Sequence, residues 1–251
     1  AEKEGILGFV SQDDLLIEEL TVYQNLYYSA KLSFSDKTDD QLRRMVDERL
    51  RMLGLYEVRN LRVGNPLDKK ISGGQRKRLN IALSLIREPS ILFLDEPTSG
   101  LSSRDSENVM EILKELTLRG RLVYVVIHQP SSDIFKMFDS IIVLDTGGYL
   151  IYYGDPVESI EYFQNQSRYI GLSEAECSVC GNVNVEQIFD IVEAHVVDEY
   201  GNDTRVRRTL PEEWRERFEE SRTRRRKSAH DIVGIVPPIR VIPRSSKIPS
   251  A

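Results

Sequence analysis

Three groups of residues in this 251-residue chain have the types and spacing to act on a phosphate. The first is Ser72-Gly73-Gly74-Gln75, followed by Arg76-Lys77-Arg78. Two glycines ahead of a helix let an anion approach the backbone closely. The free N–H groups and the positive end of the helix dipole then favour it. Ser72 would cap that helix or donate its hydroxyl to a phosphate. An ordinary helix start after a glycine turn accounts for the same residues equally well. The second group is Ile91-Leu92-Phe93-Leu94-Asp95-Glu96-Pro97. Four apolar residues make a buried strand, and two carboxylates emerge at its carboxyl end, where α/β sheets bind ligands. Adjacent side chains on a strand point to opposite faces. We therefore expect Asp95 to turn toward Mg²⁺ and Glu96 toward a water. A solvated acidic turn is the weaker reading, given the apolar run in front of it. The third is His128, just after the apolar stretch Leu122–Ile127. It has the chemistry to hydrogen-bond a phosphoryl oxygen, although a lone histidine is more often structural.

The elements that must position these groups alternate along the chain. Ile6–Val10 reads as a buried strand ending at Ser11-Gln12. Thr21 caps a helix to about Leu32, and a second helix runs from Asp39 to Leu53 with Leu42, Met45, Val46 and Leu50 at helical spacing. Gly73 opens a helix to about Arg87, ended by Pro89. Then come a strand at Ile91–Leu94, a helix over Ser103–Leu118, a strand at Leu122–Ile127 and a short helix over Ser132–Phe138. Strands at Ile141–Leu144 and Tyr149–Tyr153 pair through Gly147-Gly148, and Pro156–Gln164 is helical. Strand–helix alternation with short connections predicts an α/β fold with a partly parallel sheet. The helical stretch from Thr21 to Leu61 interrupts the alternation and reads as an inserted lobe. Further on, Val183–Val196 and Pro211–Lys227 read as helices, and Ser228–Ala251, with four of the ten prolines, as an extended linker.

Composition narrows the function classes. Hydrophobic residues make up 40% of the chain, enough for a sizeable core. The longest apolar runs fall far short of the about 20 residues that a membrane-spanning helix needs. Two cysteines, Cys177 and Cys180, make no disulfide scaffold and favour a reducing compartment. As a lone C-x-x-C they fit an ordinary turn better than a redox pair or half a zinc site, for which only His195 lies anywhere near. The net charge of −6 is uneven: residues 201–251 hold 13 Lys/Arg and 7 Asp/Glu, whereas the first 200 hold 21 basic and 33 acidic residues. That acidic body argues against a nucleic-acid partner. The basic run Arg222–Lys227 reads as an RNA-binding segment or a solvated helix end, and the basic tail has the charge to sit near phosphates or lipid headgroups.

Taken together, the three groups resemble the nucleotide-binding domain of an ABC transporter. Ser72-Gly73-Gly74-Gln75 is similar to the family's signature, Ile91–Glu96 to Walker B and Ser99-Gly100-Leu101-Ser102 to the D-loop. His128 is similar to the switch histidine and Gln12 to the Q-loop glutamine. The run His128-Gln129-Pro130-Ser131-Ser132-Asp133-Ile134-Phe135, with Arg76-Lys77-Arg78, resembles the G subfamily, bacterial relatives included. Two departures stand out. The D-loop usually carries Asp where this chain has Ser102, which puts the across-dimer contact at that position in doubt. No G-x-x-x-x-G-K-[ST] phosphate loop occurs, and the chain contains no Gly-Lys dipeptide. The expectation is therefore an incomplete RecA-like P-loop NTPase core, starting in mid-frame just before the Q-loop and so lacking Walker A.

The resemblance implies a fold, a chemistry and partners. Residues 1–165 would be a partial nucleotide-binding domain with a helical subdomain at about 15–70. Residues 166–210 would be an extension, and 211–251 a basic helix and Pro-rich connector to a membrane domain. The cofactors would be ATP and Mg²⁺. Glu96 and His128 would be catalytic. Ser72, Gly73, Gly74 and Gln75 would contact the nucleotide held by a second, head-to-tail nucleotide-binding domain. Asp95 and Gln12 would help position Mg²⁺. The setting would be the cytoplasmic face of a membrane, with transport, in the export direction by analogy, as the task. By itself the chain is expected to be inactive. Two other readings compete: a soluble ABC ATPase of translation or DNA repair, and a non-catalytic module lending its signature to a partner. The first usually has tandem cassettes or a long coiled-coil insert, which this sequence lacks. Intact Asp95, Glu96 and His128 argue against the second.

Overall fold

The computed structural model describes residues 7–65, 70–167, 184–197 and 203–233. The chain divides into two compact units, Ala1–Met137 and Phe138–Ala251. This division falls inside the 1–165 segment named above.

The first unit is mixed α/β. Strands β1 (Leu7–Val10), β2 (Ile91–Asp95) and β3 (Leu122–Val126) form a parallel sheet in the order β1-β2-β3. The register pairs Val10 with Leu94 and Asp95 with Val126, so all three strands end at one edge. Helices α1 (Val22–Ser33), α2 (Asp39–Met52) and α3 (Gly73–Leu85) connect β1 to β2; α4 (Ser103–Leu118) connects β2 to β3, and α5 (Ser132–Lys136) follows. Each helix starts where a hydroxyl side chain can accept an otherwise unpaired N–H. Thr21, Thr38 and Ser72 form full capping boxes with Gln24, Gln41 and Gln75. Ser102 and Ser131 cap α4 and α5.

The apolar spacing explains the core. Val22, Leu26 and Ala30 line one face of α1, and Leu42, Val46 and Leu50 one face of α2. These meet Leu79, Ala82 and Ile86 from the α3 region, with Val63 and Ile71, in one buried cluster. Across the sheet, alternation sends Val10, Leu92 and Leu94 inward. Gly8 is required there: a Cβ would lie 2.8 Å from Leu92 Cδ1 and from Pro89 Cγ. The other sheet face is open, with Leu7, Phe9, Phe93, Leu122, Tyr124 and Val126 exposed and Phe93 stacked on Tyr124 at 5.0 Å.

The second unit pairs β4 (Ile141–Asp145) with β5 (Tyr149–Gly154) through the Gly147-Gly148 turn, both glycines at positive φ. It continues with α6 (Pro156–Ser167), α7 (Glu186–Val192), a hairpin of β6 (His195–Val197) and β7 (Asp203–Arg207), and α8 (Pro211–Val233). Trp214, fully buried, packs edge-on to Phe163, which adjoins Tyr152 and Tyr162. Arg207 makes two bonds to Asp145, at 2.8 and 3.1 Å, and one to the Val192 carbonyl.

Two expectations are corrected here. The helix expected over Val183–Val196 is only Glu186–Val192, and His195–Val197 is a strand. The β-branched Val196-Val197 pair favours extended backbone, and β7 supplies a partner anchored through Arg207. The basic helix runs past Lys227 to Val233, into the stretch read as linker, because no proline intervenes before Pro237. Cys177, Cys180 and the Pro-rich end at 234–251 lie outside the described residues. Among those that are described, no helix is long and apolar enough to cross a membrane.

Leu50→Ala should lower stability by about 2–5 kcal/mol, because Leu50 is fully buried among three helices. Denaturant unfolding followed by circular dichroism measures this loss.

Candidate functional site

The site is built on the shared edge of the parallel sheet. Gln12 lies two residues beyond β1, Asp95 closes β2, Glu96 follows it, and His128 lies two residues beyond β3. Glu96 leaves the strand at once. Its φ is +42°, a left-handed conformation that side chains rarely adopt, and its N–H donates to the Val126 carbonyl at 3.0 Å. Gln129, beside His128, is also left-handed, with φ +44°. Strain of this kind, repeated at the ends of neighbouring strands, re-aims the side chains at the edge. Gln12 Nε2 donates to Glu96 Oε2 at 3.1 Å across a separation of 84 residues. His128 stands exposed on the same edge.

The Ser72 group sits at the start of α3. Ser72 Oγ accepts the Gln75 N–H at 3.1 Å, and Gln75 Oε1 accepts the Ser72 N–H at 2.9 Å. Ser72 therefore keeps its own hydroxyl proton to donate. Ser72 and Gly73 are exposed and Gly74 is buried. The reason for Gly74 is steric. A Cβ there would lie 2.6 Å from Asp105 Cγ and closer still to its carboxylate. Asp105 is fixed in that place by Ser102, whose Oγ donates to Asp105 Oδ2 at 3.0 Å and accepts the Asp105 N–H at 3.2 Å. Ser102 is thus engaged as the cap of α4. Before it, Ser99 N–H bonds to the Glu96 carbonyl and Gly100 turns at φ +71°.

Two cations of α3 join this helix to the sheet edge. Lys77 Nζ donates to the carbonyls of Gln12 at 3.0 Å and Ser11 at 3.4 Å. Arg76 Nε pairs with Asp14 Oδ2 at 2.8 Å, and its Nη1 donates to the carbonyls of Val63 and Gly64. Both side chains are buried. Burial holds the Lys77 ammonium below the usual lysine range, against the pull of Asp14, Asp95, Asp13 and Glu96. Sequence reasoning named Arg76-Lys77-Arg78 only as a basic run. The signal for more was the acidic pair Asp13-Asp14 directly after Gln12.

The donor set can be tested against the groups that the motifs imply. Gln12, Asp95 and Glu96 offer oxygen ligands only, the hard donors that Mg²⁺ takes, and Mg²⁺ usually completes its shell with phosphate and water. Among the described residues no group of three or more His, Cys, Asp or Glu could hold a metal by itself. These residues fit a metal that arrives with a phosphate ligand.

Known proteins show what this chain is similar to. Residues 2–99 match the family model described as ABC transporter, and residues 128–218 match the one described as ABC-2 type transporter. The chain carries an ABC transporter domain, and its homologues are G-family ABC transporters. ABC transporter G family member 14 of Arabidopsis thaliana is 43% identical over 159 residues, covering 63% of this chain and 24% of that protein. Putative white-brown complex homolog protein 30 of the same plant is 38% identical over 197 residues, 73% of this chain and 18% of the relative. The Bos taurus broad substrate specificity ATP-binding cassette transporter ABCG2 is 41% identical over 157 residues, 62% and 24% respectively. The chain thus spans about a quarter or less of the length of these relatives. Its mixed α/β first unit is consistent with an ABC ATPase domain.

Gly74→Ala should cost about 1–3 kcal/mol by overpacking against Asp105, although alanine is the better helix former. In the Asp105→Ala background the same change should cost little. A double-mutant cycle by denaturant unfolding measures the difference.

Proposed function

We propose that this chain is part of the ATPase domain of a G-family ABC transporter, and that it couples ATP hydrolysis to movement of a solute across a membrane. The observation that carries the reading is the Gln12–Glu96 hydrogen bond at the strand edge. It holds a carboxylate where the ends of β1, β2 and β3 converge. On this reading the first unit is a P-loop NTPase core of RecA type, and the α1–α2 cluster is its inserted helical lobe.

The chain's own residues then have distinct tasks. Glu96 orients the attacking water through its carboxylate, and Gln12 fixes the direction of that carboxylate. His128 donates a hydrogen bond to a phosphoryl oxygen. Ser72, through its hydroxyl, and Gly73 and Gly74, through their backbone N–H groups, face the phosphate of ATP held by a second nucleotide-binding domain. Gln75 keeps Ser72 in place through the capping box. Asp95 and Gln12 would hold Mg²⁺, which supplies charge neutralisation to the phosphates. Catalysis of this kind rests on positioning and electrostatics rather than covalent chemistry. Ser99, Gly100, Leu101 and Ser102 would form the contact loop to the second domain. Ser102 enters that contact as a helix cap rather than as a carboxylate.

The partners are accordingly a second nucleotide-binding domain and a membrane domain, the latter fused after the Pro-rich end. The match of residues 128–218 to an ABC-2 type transporter model supports that order. The setting is the cytoplasmic face of the membrane, with transport in the export direction by analogy. The domain plan is a partial nucleotide-binding domain over 1–165, an extension over 166–210, and a connector over 211–251.

Two tests follow from these roles. In the natural protein, Glu96→Gln should abolish steady-state ATP hydrolysis, by about a thousandfold or more, while leaving ATP binding intact. Unchanged turnover would remove Glu96 from the role. The 251-residue chain alone, which holds no G-x-x-x-x-G-K-[ST] loop, should neither hydrolyse Mg-ATP nor bind it tightly by isothermal titration. Tight binding would contradict the reading.

A further inference from the structure

We propose that Lys77 is a positioning residue: through the backbone of Ser11 and Gln12 it ties the start of α3 to the Gln12–Glu96 pair. The inference rests on the functional reading above and extends it, because it says how the two halves of the site move together.

Lys77 is 6% exposed, although lysine is seldom buried without specific partners. Its Nζ reaches the carbonyls of Gln12 at 3.0 Å and Ser11 at 3.4 Å, the residues at which β1 gives way to loop. The neighbouring Arg76 takes the other end of the same short loop through Asp14 at 2.8 Å. Arg76 is anchored in turn on the Val63 and Gly64 carbonyls. Residues 11–14 are therefore gripped at both ends by two consecutive residues of one helix. At the Lys77 end, the side chain of the gripped residue Gln12 donates to Glu96 at 3.1 Å.

Lys77 lies five residues after the Ser72 cap, about a turn and a half along the helix. Both turns belong to one continuous helix, Gly73–Leu85, so a shift of the first turn is passed to the second. An anion drawn onto Ser72 and Gly73 would pull α3, and α3 would carry the Gln12 backbone with it. The Gln12 carboxamide would then change its hold on Glu96. Lys77 needs no contact with the reacting atoms to do this. It acts through Gln12, and that dependence makes the proposal testable apart from any general loss of stability.

The first readout is spectroscopic and uses the 251-residue chain labelled with ¹⁵N. In the wild type, Glu96→Gln should shift the Gln12 side-chain amide resonances. In Lys77→Met, which keeps an unbranched side chain shortened by the terminal donor atom, those resonances should move toward free glutamine and stop responding to Glu96→Gln. Gln12 resonances that stay put and still respond to Glu96→Gln would overturn the proposal. If Lys77→Met does not fold, Lys77→Leu, which also lacks a donor, is measured with the same two outcomes.

The second readout is hydrolysis by the natural protein. Lys77→Met should lower kcat by about a hundredfold, the cost of a small misplacement of catalytic groups. KM for ATP should stay within about threefold. In a Gln12→Ala background the same change should cause no further loss. A full additional loss there would overturn the proposal. A wild-type protein that does not hydrolyse ATP would defeat the functional reading, and the spectroscopic result would still decide the role of Lys77.

Discussion

The structure of the first unit depends on the parallel pairing of β1, β2 and β3. Parallel strands run the same way, so their carboxyl ends meet at one edge, and their crossovers are too long for hairpins. The register of Val10 with Leu94, and of Asp95 with Val126, brings residues 12, 95–96 and 128 to that edge. No local propensity could do this, because Gln12 and Glu96 are separated by 84 positions. The carboxylates appear where an α/β sheet binds its ligands, and the left-handed turn at Glu96 releases its side chain from the strand's alternation.

A second constraint is that α3 must start close to that edge and stay fixed. Its first turn is trimmed to glycine where Asp105 of α4 presses on it, and its second turn buries two cations against the loop carrying Gln12. Burying a charge costs free energy, which hydrogen-bonded partners offset in part. Here Arg76 has a carboxylate and two carbonyls, and Lys77 has two carbonyls. The same helix supplies Leu79, Ala82 and the adjoining Ile86 to the core of the helical lobe. One element thus joins the apolar cluster to the polar edge.

Much of this was legible in the sequence, for identifiable reasons. Thr21, Ser72 and the run Ser103–Leu118 marked their helices through cap chemistry and apolar spacing, which act within a few residues. The run Ile91–Leu94 marked a strand, and its acidic end marked a site. What stayed hidden depends on contacts between distant segments. The Gln12–Glu96 bond needs the sheet register. Ser102 reads in one dimension as a departure from a loop pattern; in three dimensions it caps α4 and fixes Asp105. The hairpin of β6 and β7 was missed because Val192, Val196 and their neighbours fit a helical face as well as a strand. Only the pairing of β7 and the hold of Arg207 on Asp145 break the tie. The roles proposed for Ser72, Gly73, Gly74, Gln75, Asp95, Glu96 and His128 toward a nucleotide rest on their chemistry and on family resemblance together.

The central claim is that the strand edge of Gln12, Asp95, Glu96 and His128 receives a metal together with a nucleotide. Mn²⁺, which takes the same oxygen ligands as Mg²⁺, reports its position by broadening nearby nuclear resonances. The direct measurement is paramagnetic broadening in the natural protein on adding Mn²⁺ with a non-hydrolysable ATP analogue. The account predicts broadening centred on Gln12, Asp95, Glu96 and His128, dependent on the nucleotide and lost in Asp95→Asn. Broadening centred elsewhere, or the same with and without nucleotide, would contradict it.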